Sequence, residues 1–341
     1  MSDLEGRRIV LVGGAGFIGH NLALRLKSLK AEVFIVDSLA VNNYHSIKNN
    51  ADAIPNSQLY LGIIQQRLDL MKEAGIPVIE ADSRDYIRLC DIISDLGVDT
   101  LIHLAAVAHA DRSNKDPYST FDHSLRTLEN SLDNARSKSL NINHFIYFSS
   151  SMVYGNFATG SVTEDTHCEP IGIYGALKFA GEKMVIAYNQ VFGLPYTIVR
   201  PSALYGPRCV SRRVGQVFIE NALQGLEISI MGDGSARLDF TYIDDLVSGI
   251  VCVLSEETAK NQIFNLTYGE SRSVKQMTEI VAEHFPDTTI SYLPKDELMP
   301  DRGTLSVDKA RRMIGYDPQY PLEIGFVNYI NWYQELFKQL K

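Results

Sequence analysis

The stretch RIVLV at Arg8–Val12 is a short run in which almost every side chain is apolar and most are β-branched. Compact runs of the same kind recur at 32–36, 77–80, 100–104, 143–148 and 196–199. Each is too short and too evenly apolar for a surface element, and reads as a strand buried on both faces. Segments of helical length separate them. In the first of these Leu22, Leu26 and Leu29 fall at helical spacing. Strands alternating with helices predict an α/β fold with a doubly wound parallel sheet, and a ligand crevice at the strand C-termini.

After Gly206 the pattern changes to a basic loop at 208–213, a helical stretch, and the strand-like EISIMG at 227–232. Residues 238–262 read as a return to the first unit, with an apolar helix over 246–254. SVKQ at 273–276 has the form of a capping box that starts a helix running to about His284. The last segment, with Trp332, Tyr333 and Phe337, reads as an amphipathic helix. The expected division is therefore 1–201, with 238–262 returning to it, as one unit. Residues 202–237 and 263–341 form a smaller, mixed α/β unit that selects the substrate.

The first strand runs straight into GGAGFIG at 13–19, a helix follows, and the second strand ends at Asp37. Glycines here permit a tight turn and let the backbone approach a pyrophosphate at the helix N-terminus. Asp37 stands where a carboxylate hydrogen-bonds the adenosine ribose and repels a 2′-phosphate, so the sequence points to NAD in a Rossmann-type domain. Gly13, Gly16, Phe17, Ile18 and Gly19 are the expected walls of that site.

FSSSMVYG at 148–155 follows the fifth strand, which places its serines at the same crevice. Downstream, YGALK at 174–178 puts Tyr174 and Lys178 one helical turn apart on one face. An ammonium beside a phenol favours the phenolate, so Lys178 is expected to lower the Tyr174 pKa and make Tyr174 a proton acceptor for a sugar hydroxyl. A serine hydroxyl can align that oxygen.

With these motifs the chain resembles the extended short-chain dehydrogenase/reductase family, in its NAD-dependent nucleotide-sugar epimerase/dehydratase branch. The resemblance also rests on VDSL (36–39), ADSRD (81–85), HLAA (103–106), RPSALYGPR (200–208) and DFTYIDD (239–245). It implies that Asp82 and Ser83 lie near the adenine and that Leu104, Ala105 and Ala106 line the cofactor channel. It makes Tyr174 the catalytic base, Lys178 a ligand of the nicotinamide ribose, and Ser150 the hydroxyl partner. Ser151 and Met152 would face the substrate, a nucleotide-diphosphate sugar. A homodimer built from helices near 118–138 and 172–192 is also implied.

Departures from the family pattern narrow the reaction. Members with 4,6-dehydratase activity, and the related decarboxylases, carry a glutamate base where this chain has Met152, and a thioether cannot accept a proton. The expected activity is therefore 4-epimerisation through transient C4 oxidation to a 4-keto sugar. The rivals are a C4 dehydrogenase or ketoreductase, a dehydratase with another base, and a non-catalytic NAD-sensing scaffold on the same fold. Arg208, Arg212 and Arg213 could clamp a diphosphate or form a solvated basic loop. Arg302 resembles the family's late phosphate-binding arginine. Arg237 is a further possibility, because Leu238 occupies the usual arginine position. His123 stands where many members have asparagine, and the asparagine usual after RxF is replaced within 200–203.

Composition adds limits. The chain has 341 residues, 45% apolar and 21% charged, with a net charge of −9, which disfavours non-specific nucleic-acid binding. Its four cysteines are scattered without metal-ligand spacing, as expected of reduced thiols in a cytoplasmic enzyme. The eight histidines show no ligand spacing either, so no metal is expected. His103 and His109 invite a catalytic reading, but His103 ends a buried strand and is expected to satisfy local backbone groups. No apolar run has the length of a membrane span.

Overall fold

The computed structural model describes residues 4–107, 110–157, 160–295 and 300–340. Seven strands form the central sheet: β1 (Arg8–Val12), β2 (Glu32–Asp37), β3 (Val78–Glu80), β4 (Thr100–His103), β5 (His144–Phe148), β6 (Tyr196–Arg200) and β7 (Gln262–Asn265). All pair in parallel, in the order β3-β2-β1-β4-β5-β6-β7. Strand direction and order put the ends of β1, β4 and β5 beside one another at the switch point. There Val12 pairs with His103, and His103 with Tyr147.

The expected strands are present with small shifts at their ends. β3 starts one residue late, because Pro77 has no N–H and contributes only its carbonyl, to Ile35 N. β4 stops at His103, where Leu104 N and Ala105 N both turn onto the carbonyl of Val12. The seventh strand was not expected. β7 pairs with β6, so the division drawn after 262 runs through a strand of the sheet.

Alternating side chains of the strands feed two cores. Ile9, Leu11, Ile35 and Ile146 pack on Leu22 and Leu26 of α1 (Phe17–Ser28). The 40-residue connection from β2 to β3 holds α2 (Ser57–Glu73), whose Tyr60, Ile63, Ile64, Arg67 and Met71 are buried at helical spacing. On the opposite face Val10, Val12 and Phe145 meet Leu89 of α3 (Tyr86–Leu96), Leu128 and Leu132 of α4 (Thr127–Ala135) and Val185 of α5 (Gly172–Phe192). Burial of each such side chain stabilises the fold by about 1.5–3 kcal/mol.

A third core joins α6 (Val214–Leu223), α8 (Val274–His284) and α10 (Leu322–Leu340) through Phe218, Met277, Phe326, Tyr329 and Tyr333. Between them in sequence, α7 (Ile243–Ser255) packs on α1 with Leu246 and Ile250, as expected of the returning segment. α9 (Asp308–Ile314) also packs with the sheet through Ala310 and Ile314. The capping box at Ser273 and Gln276 forms as expected. Among the described residues no helix is long and apolar enough to cross a membrane.

Candidate active site

The turn after β1 depends on its glycines for two different reasons. Gly13 sits at φ +78, and a Cβ there would lie 2.5 Å from Ala105 N, so the loop after β4 packs directly on its backbone. Gly16 caps α1 with an ordinary extended backbone, and a Cβ there would meet only the Gly13 carbonyl, at 3.7 Å. The protein leaves that space open, which is what a pyrophosphate lying against the helix N-terminus requires.

Gly13, Gly16, Phe17, Ile18 and Gly19 line one groove together with Asp37. Asp82, Ser83, Leu104, Ala105 and Ala106 line the same groove. Asp37 accepts hydrogen bonds from Ala15 N (2.9 Å) and Leu39 N (2.8 Å). Burial nevertheless raises its carboxyl above the usual range. Asp82 is held by Arg84, whose hydrogen bonds keep its carboxyl low, and Arg84 also reaches Asp122 at 2.6 Å. Asp122–Arg126 form a π-helical turn, which brings His123 into the groove wall. The glycine turn, the carboxylate of Asp37 and the open space over Gly16 fit the adenosine and diphosphate half of a dinucleotide. Sequence reasoning missed Asn43 and Arg67, which also line it. An arginine on an amphipathic helix carries no local signal of burial.

Beyond β5 the chain forms a 3₁₀ turn over Ser151–Tyr154, capped by Ser150 Oγ, which accepts from Met152 N at 3.2 Å. Ser149 is committed elsewhere: its hydroxyl donates to Glu182 at 2.5 Å. α5 carries Tyr174 and Lys178 to this turn, where Tyr174 lines the same cavity as Ser150. The electrostatics depart from expectation. Burial raises the Tyr174 pKa, and the groups that oppose the rise are Arg213 and the Ser150 hydroxyl. Lys178 Nζ donates to the Phe148 carbonyl at 2.7 Å and lies over the Tyr147 ring. Burial lowers its pKa to about 8.

A cavity of about 600 Å³ opens from this cluster, lined by Ser150, Ser151, Met152, Tyr174 and Lys178 at one wall. Arg212, Arg213, Arg237 and Arg302 line it as well. Arg213 Nε and Arg302 Nε are buried without a hydrogen-bond partner among the described residues. Burial and the charge of Arg213 bring Arg302 down to about 10. Two guanidiniums that share a cavity with unused donors offer charge-assisted hydrogen bonds to an anion. The exposed Arg212 turns instead to the Pro55 carbonyl (3.4 Å) and Tyr60 (3.3 Å), and Arg237 is held by Ser271.

Arg208 does not line this cavity, contrary to expectation. Its backbone takes φ +65, and its side chain reaches back to His20 Nε2 (3.1 Å) and Asn21 Oδ1 (3.4 Å) on α1. Burial pushes His103 down to about 3; its Nδ1 meets the Ser131 hydroxyl and not the expected backbone groups, and its Nε2 has no hydrogen-bond partner among the described residues. His109 lies outside the described residues.

Glycine turn, acid-ended second strand and Tyr-Lys helix around one crevice define a dinucleotide-dependent enzyme fold. Residues 9–267 match the model of the NAD dependent epimerase/dehydratase family, and the chain belongs to that family. A Bacillus subtilis (strain 168) protein named as an uncharacterized UDP-glucose epimerase, YtcB, is 30% identical over 338 residues, covering 97% of this chain and 99% of that one. A dTDP-glucose 4,6-dehydratase of Actinoplanes sp. is 26% identical over 336 residues, covering 96% and 98%. The crystal structure of UDP-glucuronic acid 4-epimerase from Bacillus cereus, in complex with UDP-glucuronic acid and NAD, has the same fold. It superposes with a TM-score of 0.84 at 24% identity, over 96% of this chain and 99% of that one.

Proposed function

We propose that the chain is an NAD-dependent nucleotide-sugar 4-epimerase. The observation that carries this reading is the cavity that Tyr174 and Ser150 line together with Met152. Tyr174 takes the proton of the C4 hydroxyl and later returns it, while Ser150 aligns the reacting oxygen. NAD, when bound, supplies reversible hydride exchange at that carbon. Asp37 and Lys178 hold its two riboses.

Arg213 and Arg302 hold the diphosphate of the substrate. With the nucleotide fixed there, the cavity leaves the 4-keto sugar room to turn and present its other face. The relatives named for UDP-glucose epimerisation make UDP-sugars the first substrates to test.

Elimination of water has no base here, since Met152 cannot accept a proton. Among the described residues the carboxylates of the cavity are Asp233 and Asp301. Asp233 is engaged by Ser235, and Asp301 pairs with Lys295 at 2.8 Å. A homodimer across the expected helices is supported by apolar side chains they expose, among them Tyr118 at 88%, Phe121, Val191 and Phe192.

The reading is tested by following absorbance at about 340 nm, the band of the reduced cofactor, as the protein converts a UDP-sugar. An epimerase gives a C4 epimer with no net absorbance change. A sustained change stoichiometric with product would replace this reading with a dehydrogenase.

A further inference from the structure

The guanidinium of Arg67 has more donors than the protein uses. It is 1% exposed, inside α2 and against the dinucleotide groove. Nε and Nη2 both donate to one acceptor, the carbonyl oxygen of Arg208, with Nε at 2.9 Å. Nη1 is buried with no hydrogen-bond partner among the described residues. None of the three nitrogens forms an ion pair with a carboxylate among those residues. A buried cation left this way costs several kcal/mol, so its retention asks for a partner that arrives from outside the chain.

Two features show which partner and what it controls. Arg67 shares the groove wall with Gly16 of the glycine turn and with Asp37. The carbonyl it holds belongs to a loop under backbone strain, because Arg208 (φ +65) and Arg212 (φ +50) are both in the left-handed region. Within that loop Val210 and Ser211 line the groove, and Arg213 lines both the groove and the substrate cavity.

We propose that Arg67 is a positioning residue that couples the two sites: its unused Nη1 is kept for the diphosphate of the dinucleotide, and its other nitrogens hold the loop that presents Arg213 to the substrate. Cofactor binding then completes the guanidinium and stiffens the 206–213 loop before the sugar nucleotide arrives. The proposal needs only the NAD dependence of the family, not the 4-epimerase reading.

The test uses the full chain freed of dinucleotide, with ADP-ribose and UDP as probes. In the wild type, saturating ADP-ribose is expected to slow amide hydrogen exchange across 206–213 and to tighten UDP binding. Unchanged exchange in that loop overturns the coupling, and this arm needs no variant. Arg67→Met is expected to weaken ADP-ribose binding roughly 10- to 100-fold, as for loss of a charge-assisted hydrogen bond, and to leave adenosine binding unchanged. Arg67→Lys keeps the charge without the fork, so it should bind ADP-ribose better than Arg67→Met yet lose the loop protection. Wild-type affinity for ADP-ribose in Arg67→Met, or an equal loss for adenosine, would overturn the assignment to the diphosphate.

Discussion

Arg200 grips Glu182 with two nitrogens, Nε at 2.9 Å from Oε1 and Nη2 at 2.7 Å from Oε2, and both side chains are buried. The pair also brackets the 3₁₀ turn over Ser151–Tyr154. Ser149 donates to Glu182 just before Ser150, and Arg200 Nη1 donates to Tyr154 Oη at 2.9 Å just after Met152. Glu182→Gln leaves a buried guanidinium without its counter-charge and is expected to cost about 3–5 kcal/mol of stability. Urea unfolding checks this; a loss below about 1 kcal/mol would remove the pair from the account.

Tyr174→Phe keeps the ring and removes only the oxygen proposed to move the C4 hydroxyl proton. Turnover is expected to fall about 10²- to 10⁴-fold while NAD affinity and melting temperature stay close to wild type. Ser150→Ala should lose less, because the Tyr174 oxygen remains and only its alignment is lost. Steady-state kinetics beside NAD titration separates this from general damage to the site.

Arg302 and Arg208 provide a contrast between two arginines that are both, by sequence, candidates for the substrate diphosphate. Arg302→Met removes an unused buried donor from the cavity, and KM for the sugar nucleotide should rise about 10- to 100-fold. Arg208→Met should leave KM nearly unchanged and lower thermal stability instead, since its side chain contacts His20 and Asn21. Equal effects on KM would contradict the cavity drawn here.

These arginines show where sequence reading stops. The glycine turn, Asp37, Ser150 and the Tyr174–Lys178 spacing are legible because each depends on short-range geometry that the residue types impose. Which arginine of 208–213 lines the cavity depends on backbone angles at Arg208 and Arg212 that no side chain announces. The Tyr174 environment fails for a similar reason. One helical turn carries Lys178 to the same cavity, but burial raises the Tyr174 pKa and the charge that opposes the rise is that of Arg213, distant in sequence. Arg67 and β7 are hidden because their burial comes from tertiary packing alone.

Asp239 gives the fold a pH signature. It accepts from Thr267 Oγ1, Gly269 N and Leu305 N, yet burial raises its pKa from 3.8 to about 7. Between these values the folded chain binds more protons at this site than the unfolded chain, so this contribution to stability falls as pH rises from 3.8 to about 7. Asp239→Asn does not titrate. Its stability relative to wild type should therefore improve steadily from about pH 4 to pH 7 in urea unfolding. A pH-independent difference would contradict the assignment.

The most direct test follows the sugar itself. Purified protein supplied with NAD and single UDP-sugars in deuterium oxide should bring a C4-epimer pair to equilibrium, seen by proton NMR. No deuterium should enter at C4 or C5, because hydride never exchanges with solvent and Met152 removes no proton. Loss of water with deuterium at C5, and no C4 epimer, would contradict the account.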